Sequence, residues 1–172
     1  MTITIPDGVA TLGAESVYWV PAIANPATGA TVAELNAGTP IQCAINSFAP
    51  NGDQGSSQDL RLCSVDELEN PGRNKITISA IELVYDPQMP TNTTAYAAYS
   101  ALAPRAKGFL VDRRGMPHAQ AFAAGQFVDI YTVTLGERNR VAITAGSDGE
   151  KFKTSIKPFV SGARYLDKAV VA

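Results

Sequence analysis

The chain has 172 residues, 17% of them charged and 45% hydrophobic, with 14 basic and 16 acidic side chains and a formal net charge of −2. That length supports one domain with its own core, and the composition excludes a disordered chain. The slight acidity excludes a nucleic-acid binder working by counterion release, which would concentrate Lys and Arg.

Residues 1–15 mix polar and apolar groups around Gly8 and Gly13 and read as an N-terminal arm. Residues 16–23 (SVYWVPAI) read as a strand, with Pro21 marking an edge or an end. Trp19 is expected in the core. Residues 24–40 are turn-rich, with one helical turn in AELNAG ended by Gly38. Residues 41–48 (IQCAINSF) alternate: Ile41, Cys43 and Ile45 on one face, Gln42, Ala44 and Asn46 on the other. Residues 49–58 (APNGDQGSSQ) carry no apolar anchor and read as a long loop, with residues 59–65 (DLRLCSV) as the returning strand. The three pieces form a predicted hairpin with an oversized polar tip, a feature that suits contact more than core. Asp66, Glu67 and Glu69 lie in a polar connector, residues 66–74, with a Pro71-Gly72 turn signal.

Residues 75–85 (KITISAIELVY) form the most strand-like run in the chain. Its apolar residues change phase between Ala80 and Ile81. Either both faces are covered near Tyr85, or a bulge sits at that step. Asp86-Pro87 ends the strand. A short helix follows, started by Thr91 or Asn92 and striped by Ala95, Tyr99 and Leu102, with Pro104 closing it. Residues 107–114 (KGFLVDRR) are a strand, and its Asp112-Arg113-Arg114 run is expected at an exposed end or in a subunit salt bridge. Residues 115–126 are a loop. Residues 127–135 (FVDIYTVTL) have two partly apolar faces, as a central strand covered on both sides would. A turn at residues 136–139 and a short strand over residues 141–145 follow. Residues 150–158 alternate, with Phe152, Thr154 and Ile156 inward and Lys151, Lys153 and Lys157 outward, where they also blunt an edge. Residues 159–172 are a C-terminal tail whose Tyr165, Leu166, Val170 and Val171 dock on the same domain or on a neighbour.

Catalytic signatures are missing. There is no GxSxG elbow, P-loop, GxGxxG or HExxH, so no enzymatic activity is expected. His118 is the single histidine, and Cys43 and Cys63 match no zinc spacing; neither metal nor cofactor is expected. The opening MTITIPDG lacks the basic start and apolar core of an export signal, so both thiols are expected reduced, although a disulfide is open to them if their strands pair. No apolar run is long enough to cross a bilayer, and no membrane partner is expected.

Taken in order, VYWVPAI, AELNAGTPI, the predicted hairpin, NPGRNKITISAIELVYDPQ, NTTAYAAYSAL, KGFLVDRRG and GQFVDIYTVTLGE resemble the tail tube proteins of phages with long, non-contractile tails. The likeness runs from about Val17 to Pro158 and rests on the ensemble. It implies a mainly β fold, a β-sandwich or barrel-like domain with one short flanking helix and extended arms. It further implies a virion structural protein assembled in the host cytoplasm. Six copies would form a ring, and rings would stack into a tube for genome delivery. The partners so implied are further copies, tail terminator and tail tip proteins, and, within the lumen, tape-measure protein and DNA without specific binding.

On that reading the polar loop supplies inter-ring contacts through Pro50, Asn51, Gly52, Asp53, Gln54, Gly55, Ser56 and Ser57. DNA must slide without sticking, so the lining should be neutral or acidic. By alternation the lining candidates are Gln42, Ala44, Asn46 and Asp59, with Arg61 a misfit needing a neighbouring carboxylate. The loop and both termini are expected to be mobile before assembly and ordered after it. Two rival readings stand beside this one. One is another virion part, such as a tail terminator or decoration protein. The other is a β-sandwich carbohydrate-binding module using Trp19, Tyr18, Tyr96 or Tyr99 as a platform.

Overall fold

A computed structural model describes residues 8–59, 68–89, 96–143 and 149–172. Among them the chain is mainly β. Its elements are β1 (Glu15–Val20), α1 (Val32–Asn36), β2 (Thr39–Pro40), β3 (Pro50–Asp59), β4 (Leu68–Ile78), β5 (Ile81–Val84), α2 (Ala97–Ala101), β6 (Lys107–Arg114), β7 (Phe127–Arg140) and β8 (Lys153–Ala169). Six strands make one curled, half-barrel sheet in the order β2-β1-β6-β7-β8-β5, and β3 and β4 make a separate two-stranded ribbon. Every pairing between these strands is antiparallel.

The sheet is covered on both faces. On one, Val17, Trp19, Leu110, Tyr131, Val133, Leu135 and Ile156 pack with Ile81, Leu83, Ile41, Ile78 and the α2 residues Ala98 and Leu102. On the other, Val20, Val111, Val128 and Ile130 pack with Ile23, Ala30, Leu35, Phe122 and Val170. β7 feeds both clusters, as its two apolar faces foretell. Trp19 is core, 3% exposed. It lies across Gly108, where a Cβ would come within 2.7 Å of the indole.

The phase change at Ala80–Ile81 is the junction at which the chain leaves the ribbon and joins the sheet. β4 ends at Ile78, and Ile81 opens β5 against Ile156 of β8. α1 forms because Thr31 and Glu34 make a reciprocal cap. The Thr31 hydroxyl accepts from Glu34 N–H at 3.2 Å, and a Glu34 carboxylate oxygen accepts from Thr31 N–H at 2.8 Å. Those bonds and the Ala24 N–H, led by Ala24, hold the Glu34 carboxyl below its usual range.

Several expected elements differ. Residues 41–48 are a turn with one bridge, Ile45 to Leu83, and Cys43 is exposed. Ile41 is buried, and Ala44, Ile45 and Phe48 are half-buried, because the segment packs against the core and not because it alternates within the sheet. Residues 49–58 are not a loop, since Pro50 onward is β3. Its partner is β4, so residues 68–74 are strand and not connector. The predicted hairpin tip is thus part of β3; of the predicted returning strand, residues 59–65, Asp59 ends β3 and the rest, with Cys63, lies outside the described residues. Residues 136–139 continue β7 through a bulge between Leu135 and Arg138 instead of turning. Residues 141–143 are irregular, and Phe152 is 55% exposed, not inward.

The expected tail is the second half of β8. It pairs with β7 up to Phe127–Ala169. Val171 then exchanges hydrogen bonds with Ala30 and Val32. The last residues are thus docked on their own domain. Lys153 lies inside the sheet, between β7 and β5, and pairs with Glu82 at 3.5 Å. α2 spans only Ala97–Ala101, and its buried residues are Ala98 and, just after it, Leu102; Thr91, Asn92 and Ala95 lie outside the described residues.

Candidate assembly surface

The ribbon is the feature that folding alone does not account for. Residues 51–58 and 69–75 are exposed along their whole length except the half-buried Gly72. A two-stranded hairpin without a buried face is marginal in water. Its register shifts between Gln54 and Ser56. There the two backbones close in, and a Cβ on Gly72 would sit 2.7 Å from the Gly55 carbonyl oxygen. Glycine at that site lets the Pro71-Gly72 pair stay inside a strand, where it otherwise signals a turn. The root is anchored by Ile78 in the core and by Arg164 of β8, whose Nη1 would lie 3.1 Å from a Cβ on Gly52.

A second polar region lies at the end of the sheet where β1 and β7 begin and β6 and β8 end. Asp112 and Asp129 face each other across β6 and β7, and Glu15 pairs with Arg114 across β1 and β6. Arg114 Nε stands 2.7 Å from Asp112 Oδ2 and 3.8 Å from Glu15 Oε1. Burial pushes the Asp112 carboxyl up to about 6, with Arg114 pulling it down and Glu15 and Asp129 adding to the rise. Burial, with Asp129 and Asp112 nearby, raises the Tyr131 hydroxyl to about 12.

The Asp112-Arg113-Arg114 run is therefore not an exposed strand end. Asp112 and Arg113 are buried, and only Arg114 reaches water. Arg113 points to the opposite face and ties down the loop over residues 115–126. Its guanidinium donates to the carbonyls of Gln120 (2.7 Å), Pro117 and Ala121 (both 3.3 Å), to Gln126 Oε1 (3.0 Å) and to Ser16 Oγ (3.2 Å), and stacks on Phe122. Burial lowers its pKa. Arg138, delivered by the β7 bulge, does a similar job for α2. It donates to the Tyr99 carbonyl and to the Leu102 carbonyl (2.8 Å) at the helix C-terminus, and lies 3.9 Å over the Tyr99 ring. Tyr99 stacks in turn on Tyr85.

The predicted site residues divide. Pro50, Asn51, Gly52, Asp53, Gln54, Gly55, Ser56 and Ser57 lie together, on one strand of the ribbon. The lining candidates share no strand face. Gln42, Ala44 and Asn46 belong to the turn over residues 41–46, where Gln42 and Ala44 are half-buried and Asn46 is exposed. Asp59 ends β3, and Arg61 lies outside the described residues. Sequence reasoning missed β4 as the second ribbon strand, as well as the buried roles of Asp112, Arg113 and Arg138. Residues 50–58 and 69–74 have no apolar alternation to reveal a strand.

One protein family, described as phage tail tube protein, matches residues 2–172. The chain belongs to the phage tail tube proteins. A search of curated proteins finds no match. Membership makes this tail tube protein a structural component of the virion and implies self-association into a tube. Of the four carbohydrate-platform candidates, Trp19 is buried, Tyr18 is half-buried edge-on to Phe122, Tyr99 is half-buried between Tyr85 and Arg138, and Tyr96 is half-buried. Among the described residues no helix is long and apolar enough to cross a membrane.

Proposed function

We propose that this tail tube protein polymerises as hexameric rings stacked into a hollow tube that conducts the genome. The family match over residues 2–172 carries the reading. The exposed ribbon supports it: residues 50–57 and their β4 partners present strand surface that a neighbouring ring would bury. A stacking contact joins different surfaces on the two copies, and such a contact propagates without closing. Tape-measure protein and DNA would occupy the lumen, and terminator and tip proteins the two ends.

Charge is the criterion for the lining, because each Lys or Arg meeting phosphate adds affinity and slows passage. Asn46 is the exposed candidate from the turn over residues 41–46. Gln42 and Ala44, half-buried, offer a channel little. Negative-stain electron microscopy of the purified chain at high concentration tests the reading. Tubes of uniform width are expected. Isolated rings would favour a terminator role instead, and dispersed monomers under all conditions would refute polymerisation.

A further inference from the structure

Leu12 is 98% exposed, the most exposed of the large apolar side chains among the described residues, with Val9, three residues before it, at 69%. Its backbone is nevertheless held. Ala14 N–H donates to the Thr11 carbonyl at 3.1 Å, closing a turn over Thr11, Leu12, Gly13 and Ala14. Gly13 sits at φ 70°, a conformation that costs glycine little and other residues more. The turn is fastened to the sheet edge: Gly115 N–H donates to the Ala14 carbonyl at 2.8 Å, and His118 N–H to the Gly13 carbonyl at 2.9 Å. A leucine displayed on a fixed turn is preorganised for contact, because little backbone freedom remains to be lost on binding.

A matching hollow lies at the other end of the strands. Tyr85, Pro87, Val141, Ile143 and Phe152 line a mostly apolar groove of about 410 Å³, whose polar lining is Asp86, Gln88, Arg140 and Lys153. Ile143 is 62% and Phe152 55% exposed. The register fixes which end is which. Glu15–Arg114 and Phe127–Ala169 pair at the Leu12 end, and Arg140–Thr154 at the groove end. β7 runs 14 residues between them, roughly 40 Å at the usual strand rise. A turn so fastened cannot reach its own groove. Knob and groove therefore lie at opposite ends of β7, an arrangement that can join copies head to tail. Glu15 follows the turn, and the groove lining carries two basic groups, Arg140 and Lys153, against one acidic group, Asp86, so the charge balance favours the contact.

We propose that the Leu12 turn of one copy seats in the Ile143–Phe152 groove of a second copy in the next ring. This rests on the stacked-ring reading above. The test compares wild type with Leu12→Asp and Phe152→Asp by electron microscopy and sedimentation, with thermal melts reporting folding. Each variant should stay folded and give about tenfold fewer tubes or less.

A second measurement stands even if one variant misfolds. Copies carrying Leu12→Cys are mixed with copies carrying Ile143→Cys, all in a Cys43→Ser, Cys63→Ser background, and oxidised. A disulfide between copies in tubes, absent from single rings, supports the contact. Wild-type tube yield from Leu12→Asp, no cross-link in tubes, or a cross-link already present in single rings would overturn it. Failure of the wild-type chain to form tubes at all would instead refute the stacked-ring reading, and this contact with it.

Discussion

The six-stranded sheet and the β3–β4 ribbon are built on opposite principles. The sheet buries side chains on both faces, in two clusters that share β7. The ribbon buries nothing between residues 51 and 58. Backbone pairing alone leaves a hairpin near the margin of stability, because most of the entropy lost in ordering a strand is offset by apolar burial. The sheet is therefore a domain that holds itself, and the ribbon, on the proposed reading, is a strand pair that a neighbouring copy would bury.

The contrast can be broken most severely at Arg113. Its guanidinium joins β1, β6 and the loop over residues 115–126 through five hydrogen bonds. Arg113→Ala strands those acceptors in a buried site, and a loss of about 3–5 kcal/mol is expected in urea unfolding. A loss under about 1 kcal/mol would mean that the loop is held by other contacts.

Asp112 sharpens the comparison through pH. Its carboxyl is raised by burial to about 6. A raised acid stabilises the fold while protonated; the contribution is full below about pH 4 and is lost as pH rises through 6. The stability of wild type relative to Asp112→Asn should therefore fall by about 2–3 kcal/mol between pH 4 and 7. A flat difference would show that Arg114 fully compensates the buried charge.

Arg138→Ala should cost about 1–3 kcal/mol, because it uncaps α2 and removes the stacking on Tyr99. Replacing residues 51–77 by a two-residue turn should cost the least, under about 1 kcal/mol. Pro50 and Ile78, which the turn would join, are already paired neighbours, and among the residues of known burial between them only Gly72 and Ile76 are even half-buried. That variant should fold, melt like wild type and form no tubes. Tubes from it would end the inter-ring role of the ribbon.

The same contrast explains what was legible beforehand. β1, β6 and the first part of β7 stand out because burial on one face or both writes a period into the residues. Thr31 and Glu34 announce α1 by local hydrogen bonding. In the ribbon no face is buried, so no period exists, and Pro50 to Gln58 reads as loop. The turn over residues 41–48 alternates for a different reason: Ile41 is buried under the sheet, and Gln42 and Ala44 only in part. Past Pro158, β8 carries extra residues opposite Val128–Ile130 and Tyr131–Val133 of β7, and these bulges break its alternation, so a strand resembles a tail. The candidate contact residues were legible as a group from polarity; their conformation was not. The lining candidates depended on a strand at residues 41–48, and their common face disappears with it.

Hydrogen exchange on the ribbon amides, in the dispersed subunit and in assembled tubes, tests the division of labour most directly. Pro50–Asp59 and Leu68–Ile78 should exchange quickly in the subunit, faster than β6 and β7, and become strongly protected in tubes. Equal protection in both states, at the level of the sheet, would contradict the claim that the ribbon obtains its burial from a neighbouring copy.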